Sequence, residues 1–135
     1  MSNSNFSFLK EKWPILNSLG ELAENNLYTD PNTTLIKLRM FGEKIVDYMF
    51  VYDKLDEPDD NRQMKKLAIL KREDLIDQKM LDIFHTLRMV GNQAVHEVYD
   101  SLAEAKTALS MAFKAGVWFM QVYGCLLYTS PSPRD

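Results

Sequence analysis

Disulfide bonds, long apolar runs and an excess of basic residues are all missing from this sequence, and each absence excludes a class of protein. The 135 residues include one cysteine, which excludes a scaffold held by intrachain disulfides. No run of about 18 apolar residues occurs, so the sequence predicts no transmembrane helix and no membrane partner. The first residues lack the basic and apolar regions of a secretory signal, and we therefore expect a cytoplasmic protein. A net charge of −3 disfavours binding of a phosphate backbone by this segment alone.

Short motifs of known catalytic chemistry are also missing. The sequence has no Walker phosphate-binding loop, no Cys/His spacing for zinc, no nucleophile elbow and no Asp…Glu-x-Lys nuclease set. Its length excludes a complete helicase, polymerase or multidomain nuclease. The acidic segment that follows the second predicted helix lacks the glycine and distal glutamate of a calcium loop, so we interpret it as a solvated turn and predict no metal site. Its acidic residues are Asp53, Asp56, Glu57, Asp59 and Asp60.

The sequence does contain the composition and periodicity of a small helical domain. Apolar residues make up 46% of the chain, enough for a folded core in one domain of about 100–150 residues. They recur at spacings of three and four, and no segment alternates long enough to indicate a strand. We predict an all-α antiparallel bundle of four to five helices over residues 14–124, after an N-terminal lead-in over residues 1–13. The predicted helices run from Pro14 to about Leu27, from Pro31 to Val51 or Tyr52, from Arg62 to Leu70, from about Met80 to Val95, and from Leu102 to near Gly124.

Two helix starts and several burial patterns are predicted in more detail. Asp30 precedes Pro31, and Ser101 opens a Ser-x-x-Glu sequence, so both side chains are expected to cap helices. The segment 71–77 is ambiguous. A solvated basic face is expected at Lys65, Lys66, Lys71 and Arg72. Residues expected to face inward include Ile15, Leu16, Leu19, Leu22, Ala23 and Leu27 in the first helix, Met64, Leu67 and Ala68 in the third, Leu87 and Val95 in the fourth, and Phe113 and Trp118 in the last.

The fourth predicted helix carries the candidate functional residues. Arg88, Asn92 and His96 follow one another at i, i+4 and i+8 and form a single polar stripe, which His85 borders. Gly91 lies inside this helix at a cost of ~1 kcal/mol relative to Ala, which predicts close approach of another backbone or a ligand. The stripe has the groups to bind a phosphate. The same groups suit acid–base chemistry on RNA, with His96 as the base and Arg88 stabilising the phosphorane.

A structural role is the alternative interpretation of the polar stripe. Arg88 and His96 would then pair with carboxylates of neighbouring helices and fix their packing. Arg39 lies four residues before Glu43, so these two are expected to form an intrahelical pair worth ~0.3–0.5 kcal/mol if exposed. Glu43 would otherwise orient Arg88 or His96 across the bundle. The carboxylates available to the stripe are Glu43, Glu97 and Asp100.

The last eleven residues differ from the rest of the chain. They read CLLYTSPSPRD and hold the single cysteine and two of the five prolines. This sequence resembles the translation of a widely used transposase sequencing adapter. We therefore interpret residues 125–135 as a tail foreign to the natural protein, which is expected to be disordered and to leave the natural protein continuing beyond Gly124. A Pro/Ser-rich linker is the alternative.

Two stretches of the chain match a known family in sequence. The first, within residues 19–43, contains LGELAE, YTDPNT and LIKLRMFGE, and the second is LRMVGNQAVH, followed by SLAEA. Together they resemble the N-terminal helical domain of type I restriction enzyme R subunits over residues 5–124. That domain in turn resembles the HEPN-like helical superfamily, whose ribonucleases carry an Arg, a polar residue and a His on one helix. Asn92 and His96 match the last two, but Gly91 stands at the arginine position and Arg88 lies one turn earlier, which implies a noncatalytic module.

The resemblance implies that the intact protein is a larger restriction–modification subunit. Such subunits resemble an ATP-driven DNA translocase with a separate magnesium-dependent nuclease domain, so ATP and magnesium are implied as cofactors of the intact protein but not of this segment. The implied partners are its own downstream nuclease and motor domains, the methyltransferase and specificity subunits, and DNA through the intact complex. For this segment the resemblance implies a docking or regulatory role. The alternatives are a self-contained HEPN-type ribonuclease or toxin that uses Arg88 and His96, and a dimerisation module.

Overall fold

Every regular element of the described chain is helical. The computed structural model describes residues 4–60, 62–97 and 101–124, so the predicted tail and Asp100 lie outside the described residues. Five α-helices occur within those ranges, which confirms the predicted all-α bundle. They are α1 (Pro14–Asn26), α2 (Pro31–Tyr52), α3 (Gln63–Arg72), α4 (Gln78–His96) and α5 (Leu102–Phe119), with a 3₁₀ turn at Ser7–Leu9 before α1 and a π-helical turn at Met120–Gly124 after α5.

Three helices begin at a side chain that caps them. Asp30 at α2 and Ser101 at α5 each accept a hydrogen bond from the backbone N–H three residues later, as predicted. Asp77 caps α4 in the same way. In the ambiguous segment 71–77, Lys71 and Arg72 form the end of α3, Asp74 turns the backbone with a φ of 62°, and Asp77 caps the next helix.

The second helix lies at the centre of the bundle, with α1, α4 and α5 packed around it. Burying a large apolar side chain stabilises the fold by about 1.5–3 kcal/mol, so this core holds α2 and α4 firmly against each other. None of the helices in the described part of the chain is long and apolar enough to cross a membrane. The largest fully buried side chains are Trp13, Phe6, Phe41, Phe50, Phe84, Phe119, Leu9, Leu16, Leu35, Leu38, Ile45 and Met49.

The residues before α1 contribute to the same core. Phe6 and Leu9 are fully buried, and Trp13 is 1% exposed. The ring of Phe6 occupies the space above Gly20, where an added Cβ would overlap it. The indole Nε1 of Trp13 donates a hydrogen bond of 2.7 Å to the hydroxyl of Tyr52 at the end of α2. Phe6, Leu9 and Trp13, which precede α1, therefore form part of the core of the bundle.

Several residues that were predicted to face inward are exposed. Ile15 and Leu22 are 48% and 43% exposed, because they lie seven residues apart on one edge of α1, outside its buried face. Val95, in the last turn of α4, is 48% exposed. Phe113 is 39% exposed because α5 faces the core with small residues and leaves this ring at the rim. Those small residues are Ala105, Ala108, Ala112, Ala115 and Gly116.

The inward face of α3 also differs from the prediction. Met64 is 56% exposed and Ala68 is exposed, so both predictions were wrong. Leu67 is buried as predicted, but it shares the inward face with Leu70 and with Lys66, which is only 7% exposed. The apolar pattern alone could not reveal this face, because a buried lysine lies on it. The prediction that Lys66 belongs to a solvated basic face was therefore wrong.

Candidate functional site

A groove of about 560 Å³ opens between α2, α3 and α4. This volume is typical of sites that hold a small molecule or a few side chains of a partner. The groove, called here the α2/α3/α4 groove, brings together Arg88 and Asn92 of the polar stripe and Glu43 of the supporting pair. Its lining residues are Glu43, Asp47, Arg62, Gln63, Met64, Lys66, Arg88 and Asn92.

Gly91 allows α4 to lie close to α2 at the groove. A Cβ added to Gly91 would overlap the Cβ of Arg39 and come within 2.9 Å of its Cγ. The close approach predicted from this glycine is therefore made by the aliphatic part of Arg39. Because the Arg39 side chain crosses over Gly91, its guanidinium reaches the neighbouring residue of α4, Asn92.

The guanidinium of Arg39 orients Asn92. Its Nη1 donates a hydrogen bond of 3.0 Å to Asn92 Oδ1. Its Nε is buried without a hydrogen bond, and Glu43 Oε2 lies 3.9 Å from that Nε. The predicted Arg39–Glu43 pair is thus present as a loose ion pair. Since arginine only donates, the oxygen of the Asn92 amide must face Arg39 and the NH₂ group must lie on the other side.

Arg88 lines the groove without a partner in the described ranges. Its Nε is buried and makes no hydrogen bond, and no ion pair joins its guanidinium to a described carboxylate. Glu43 lines the same groove but is associated with Arg39. An arginine with an uncompensated charge and an unsatisfied buried donor is costly, because a buried N–H without a hydrogen bond loses ~1–3 kcal/mol.

The two histidines near the stripe lie elsewhere. His96 is exposed at the last residue of α4 and does not line the groove. Two helical turns, or about 12 Å along the axis, separate it from Arg88. His85 is half-buried, and its Nδ1 has no hydrogen bond. Burial, followed by the positive charge of Arg88, lowers the pKa of His85 below its ordinary value of 6.5.

The other cations of the groove are paired, and sequence reasoning missed them. Lys66 Nζ lies 2.9 Å from both Asp47 Oδ1 and Glu57 Oε1. Burial alone would lower the pKa of Lys66, but hydrogen bonds to Glu57 and Asp47 outweigh it and raise that pKa. Arg62 is bound by Asp60 through several hydrogen bonds. The one feature of the sequence that indicates an inward-facing Lys66 is its position four residues before the apolar Leu70, on the same side of α3.

A comparison with known proteins places this chain in a family. Residues 22–125 match the model described as "Domain of unknown function (DUF4145)". This chain belongs to the DUF4145 family. No solved structure matches it.

This DUF4145 chain also matches a curated protein. It is 39% identical over 122 residues to the "Type I restriction enzyme EcoKI endonuclease subunit" of Escherichia coli (strain K12), in the N-terminal region of that protein. The match covers 90% of this chain and 10% of that protein, so the chain spans about a tenth of the length of this relative. The predicted relationship to type I restriction endonuclease subunits is confirmed.

The arrangement of groups in this DUF4145 domain favours binding. Within the described ranges, no three His, Cys, Asp or Glu side chains are placed to hold a metal ion together. The groove instead offers a guanidinium and an amide NH₂ from consecutive turns of α4. Such donors receive an anionic group through charge-assisted hydrogen bonds.

Proposed function

We propose that this chain is a noncatalytic docking or regulatory domain of a type I restriction endonuclease subunit. The observation that supports this proposal is its 39% identity over 122 residues to the N-terminal region of such a subunit. The domain would hold the subunit in its complex, contacting downstream nuclease and motor domains or the methyltransferase and specificity subunits. The weakly acidic composition, with a net charge of −3, favours protein contacts over direct contacts with DNA.

The activity of the intact subunit is part of the same proposal. The intact protein would translocate and cleave DNA in an ATP-dependent and magnesium-dependent reaction in the cytoplasm. ATP and magnesium would bind in other parts of the subunit, because this segment has neither a phosphate-binding loop in its sequence nor a cluster of metal ligands among its described side chains. The HEPN-like relationship of the helical bundle remains part of the proposal.

The position of His96 supports a role without catalysis. A ribonuclease site built from the polar stripe needs Arg88 and His96 at one phosphate. In a single chain these residues are two turns of α4 apart, and the groove holds Arg88 without the histidine. The groups that do converge are donors for binding an anion.

A chimera tests the docking role. The N-terminal segment of the Escherichia coli relative that matches this chain is replaced by residues 5–124, and a second version lacks the segment. We expect the chimera to assemble with its partner subunits and to cleave unmodified DNA in the presence of ATP, and the shortened version to lose assembly. Assembly of the shortened subunit at wild-type level would refute the docking role.

A ribonuclease assay tests the noncatalytic role. The purified 135-residue chain is incubated with structured and single-stranded RNA beside the His96→Ala variant. We expect no cleavage above the background of a mock purification from either protein. Cleavage by the chain that His96→Ala abolishes would contradict the proposal and identify the stripe as an active site.

A further inference from the structure

The charges around the α2/α3/α4 groove leave one guanidinium uncompensated. Lys66 is held between two carboxylates, and Arg62 is bound by Asp60. Arg88 forms no ion pair with a carboxylate of the described residues, its Nε has no hydrogen bond, and its positive charge disfavours a charged imidazole at His85. The groove therefore contains one cation that is left available to a partner from outside the described residues.

A second donor lies beside Arg88 in a fixed orientation. Asn92 follows Arg88 by one turn of α4, so the two side chains are neighbours on the helix surface. Because Arg39 binds the amide oxygen of Asn92, its Nδ2 is left as a donor with no partner among the described residues. The guanidinium and the amide together form a two-point receptor for an oxyanion.

The walls of the groove decide which oxyanion fits. Glu43 and Asp47 place carboxylates on the α2 side of the groove. A phosphate dianion or a nucleic-acid backbone carries two or more negative charges, which these carboxylates would repel. Only the guanidinium of Arg88 is available to offset that repulsion. A single carboxylate needs one guanidinium. The volume of about 560 Å³ accommodates the side chain together with a few neighbouring residues of a peptide.

We infer that the α2/α3/α4 groove binds an Asp or Glu side chain of a partner protein segment, with its carboxylate received by the Arg88 guanidinium and the Asn92 amide. The inference deepens the docking role proposed above and rests on it for the presence of a partner. Arg39 and Gly91 are positioning residues for this receptor. They orient Asn92 and do not touch the ligand.

Side-chain NMR of the full 135-residue chain tests the inference. The probe is a short peptide with blocked ends and one central Glu, and its matched control has Gln at that position. We expect the Glu peptide to shift the Arg88 Nε–H and Asn92 NH₂ resonances saturably, and the Gln peptide to bind at least about tenfold more weakly. Equal binding of the two peptides, or no shift of these resonances, would overturn the inference.

Three variants separate the two-point receptor from the general charge of the groove. Arg88→Gln removes the guanidinium, whereas Arg62→Gln removes the same charge from a residue already bound to Asp60. Asn92→Asp keeps the oxygen that accepts from Arg39 and removes the NH₂ donor. We expect Arg88→Gln and Asn92→Asp to lose about tenfold or more in affinity and Arg62→Gln to retain it, with none of the three less stable than the parent chain in urea. Equal losses in Arg88→Gln and Arg62→Gln would show non-specific attraction and overturn the inference.

Two further outcomes distinguish the ligand and the underlying role. If inorganic phosphate or an oligoribonucleotide shifts the same resonances at a lower concentration than the Glu peptide, the ligand of the groove is a phosphate group and the inferred carboxylate ligand is wrong. Arg88→Gln in the chimera described above then links the groove to assembly. If the chimera assembles and the Arg88→Gln chimera assembles equally well, the groove inference fails while the docking role stands. If the chimera fails although the peptide binds, the docking role fails instead.

Discussion

At the scale of single residues, the fit between Arg39 and Gly91 sets the distance between α2 and α4. The aliphatic part of Arg39 fills the space that a side chain at position 91 would take. The same approach brings Arg39 Nη1 to 3.0 Å from Asn92 Oδ1. A glycine that is intrinsically unfavourable in a helix by ~1 kcal/mol relative to Ala is thus compensated by close packing and by the orientation of a groove amide.

We expect Gly91→Ala to destabilise the fold. The new Cβ would overlap the Cβ of Arg39, and two Cβ atoms separate only if the helices move apart. Overpacking of this kind costs ~1–3 kcal/mol, which exceeds the ~1 kcal/mol gained from the helix propensity of Ala. Urea unfolding followed by circular dichroism measures the change in the free energy of unfolding.

Gly42→Ala is the matched control for that prediction. Gly42 is also inside a buried helix, but a Cβ there would meet Leu87 Cδ1 at 3.4 Å, near ordinary contact with the end of a flexible side chain. Its gain in helix propensity is the same. We therefore expect Gly91→Ala to be less stable than Gly42→Ala by at least about 1 kcal/mol. Equal stabilities would show that Arg39 does not constrain the helix distance.

At the scale of helices, what could be predicted from sequence is what depends on local chemistry. Asp30 and Ser101 cap helices through their own neighbouring N–H groups, so four residues suffice to recognise each start. The inward face of α3 depends instead on Asp47 in α2 and Glu57 in the loop before α3, whose carboxylates bind the ammonium group of the buried Lys66. No periodicity within α3 contains that information.

The candidate site also has features that the sequence of one helix predicts and features that depend on how the helices pack. The spacing of Arg88 and Asn92 on one helix predicted correctly that they share a surface. His96 lies on the same helix as Arg88 and Asn92, as predicted, but it does not line the groove. The contribution of Asp47 could not be foreseen, because it depends on how α2 and α3 meet α4 in space.

The segment before α1 provides a prediction at the scale of elements. Phe6 is fully buried against Gly20, whereas Phe8, two residues later, is 36% exposed. We expect Phe6→Ala to cost ~3–5 kcal/mol, the usual loss for a buried phenylalanine, because it removes the contact that holds the 3₁₀ turn on the bundle. Thermal and urea unfolding measure the loss.

Phe8→Ala serves as the control in the same segment. Its ring meets Phe113 edge-on at 5.9 Å at the rim of the bundle, so its loss should cost about 1 kcal/mol or less. Similar losses for Phe6→Ala and Phe8→Ala would show that this segment adheres to the surface and does not form part of the core.

At the scale of the whole molecule, the residue before α1 and the last described turn are both bound to the C-terminal end of α2. Trp13 donates to the hydroxyl of Tyr52, and the hydroxyl of Tyr123 donates to Asp53 Oδ2 at 2.6 Å. The rings of Tyr52 and Tyr123 lie 5.8 Å apart. Because the start of α1 and the turn after α5 meet the same helix end, we expect the bundle to unfold as one cooperative unit.

The Tyr123–Asp53 contact makes the stability of this unit sensitive to alkaline pH. Burial, followed by the hydrogen bond to Asp53 and its negative charge, raises the pKa of Tyr123 well above its ordinary value of 10.0. Above pH 10 the unfolded chain therefore loses a proton that the folded chain retains, and the free energy of unfolding falls as pH rises. This contribution is fully present below pH 10 and disappears as pH rises toward the pKa of the folded state.

We expect Tyr123→Phe to reveal this contribution through the pH dependence of its cost. At neutral pH the variant should lose about 1 kcal/mol with the hydrogen bond to Asp53. From pH 9 to 11 that difference should shrink, because the wild type loses its protonation-linked stability and the variant has none at this position. Tyr28→Phe, at a side chain that is 72% exposed, should follow the alkaline decline of the wild type. A difference between wild type and Tyr123→Phe that stays constant across this range would show that Tyr123 ionises alike in the folded and unfolded chains, and that Asp53 does not govern its proton.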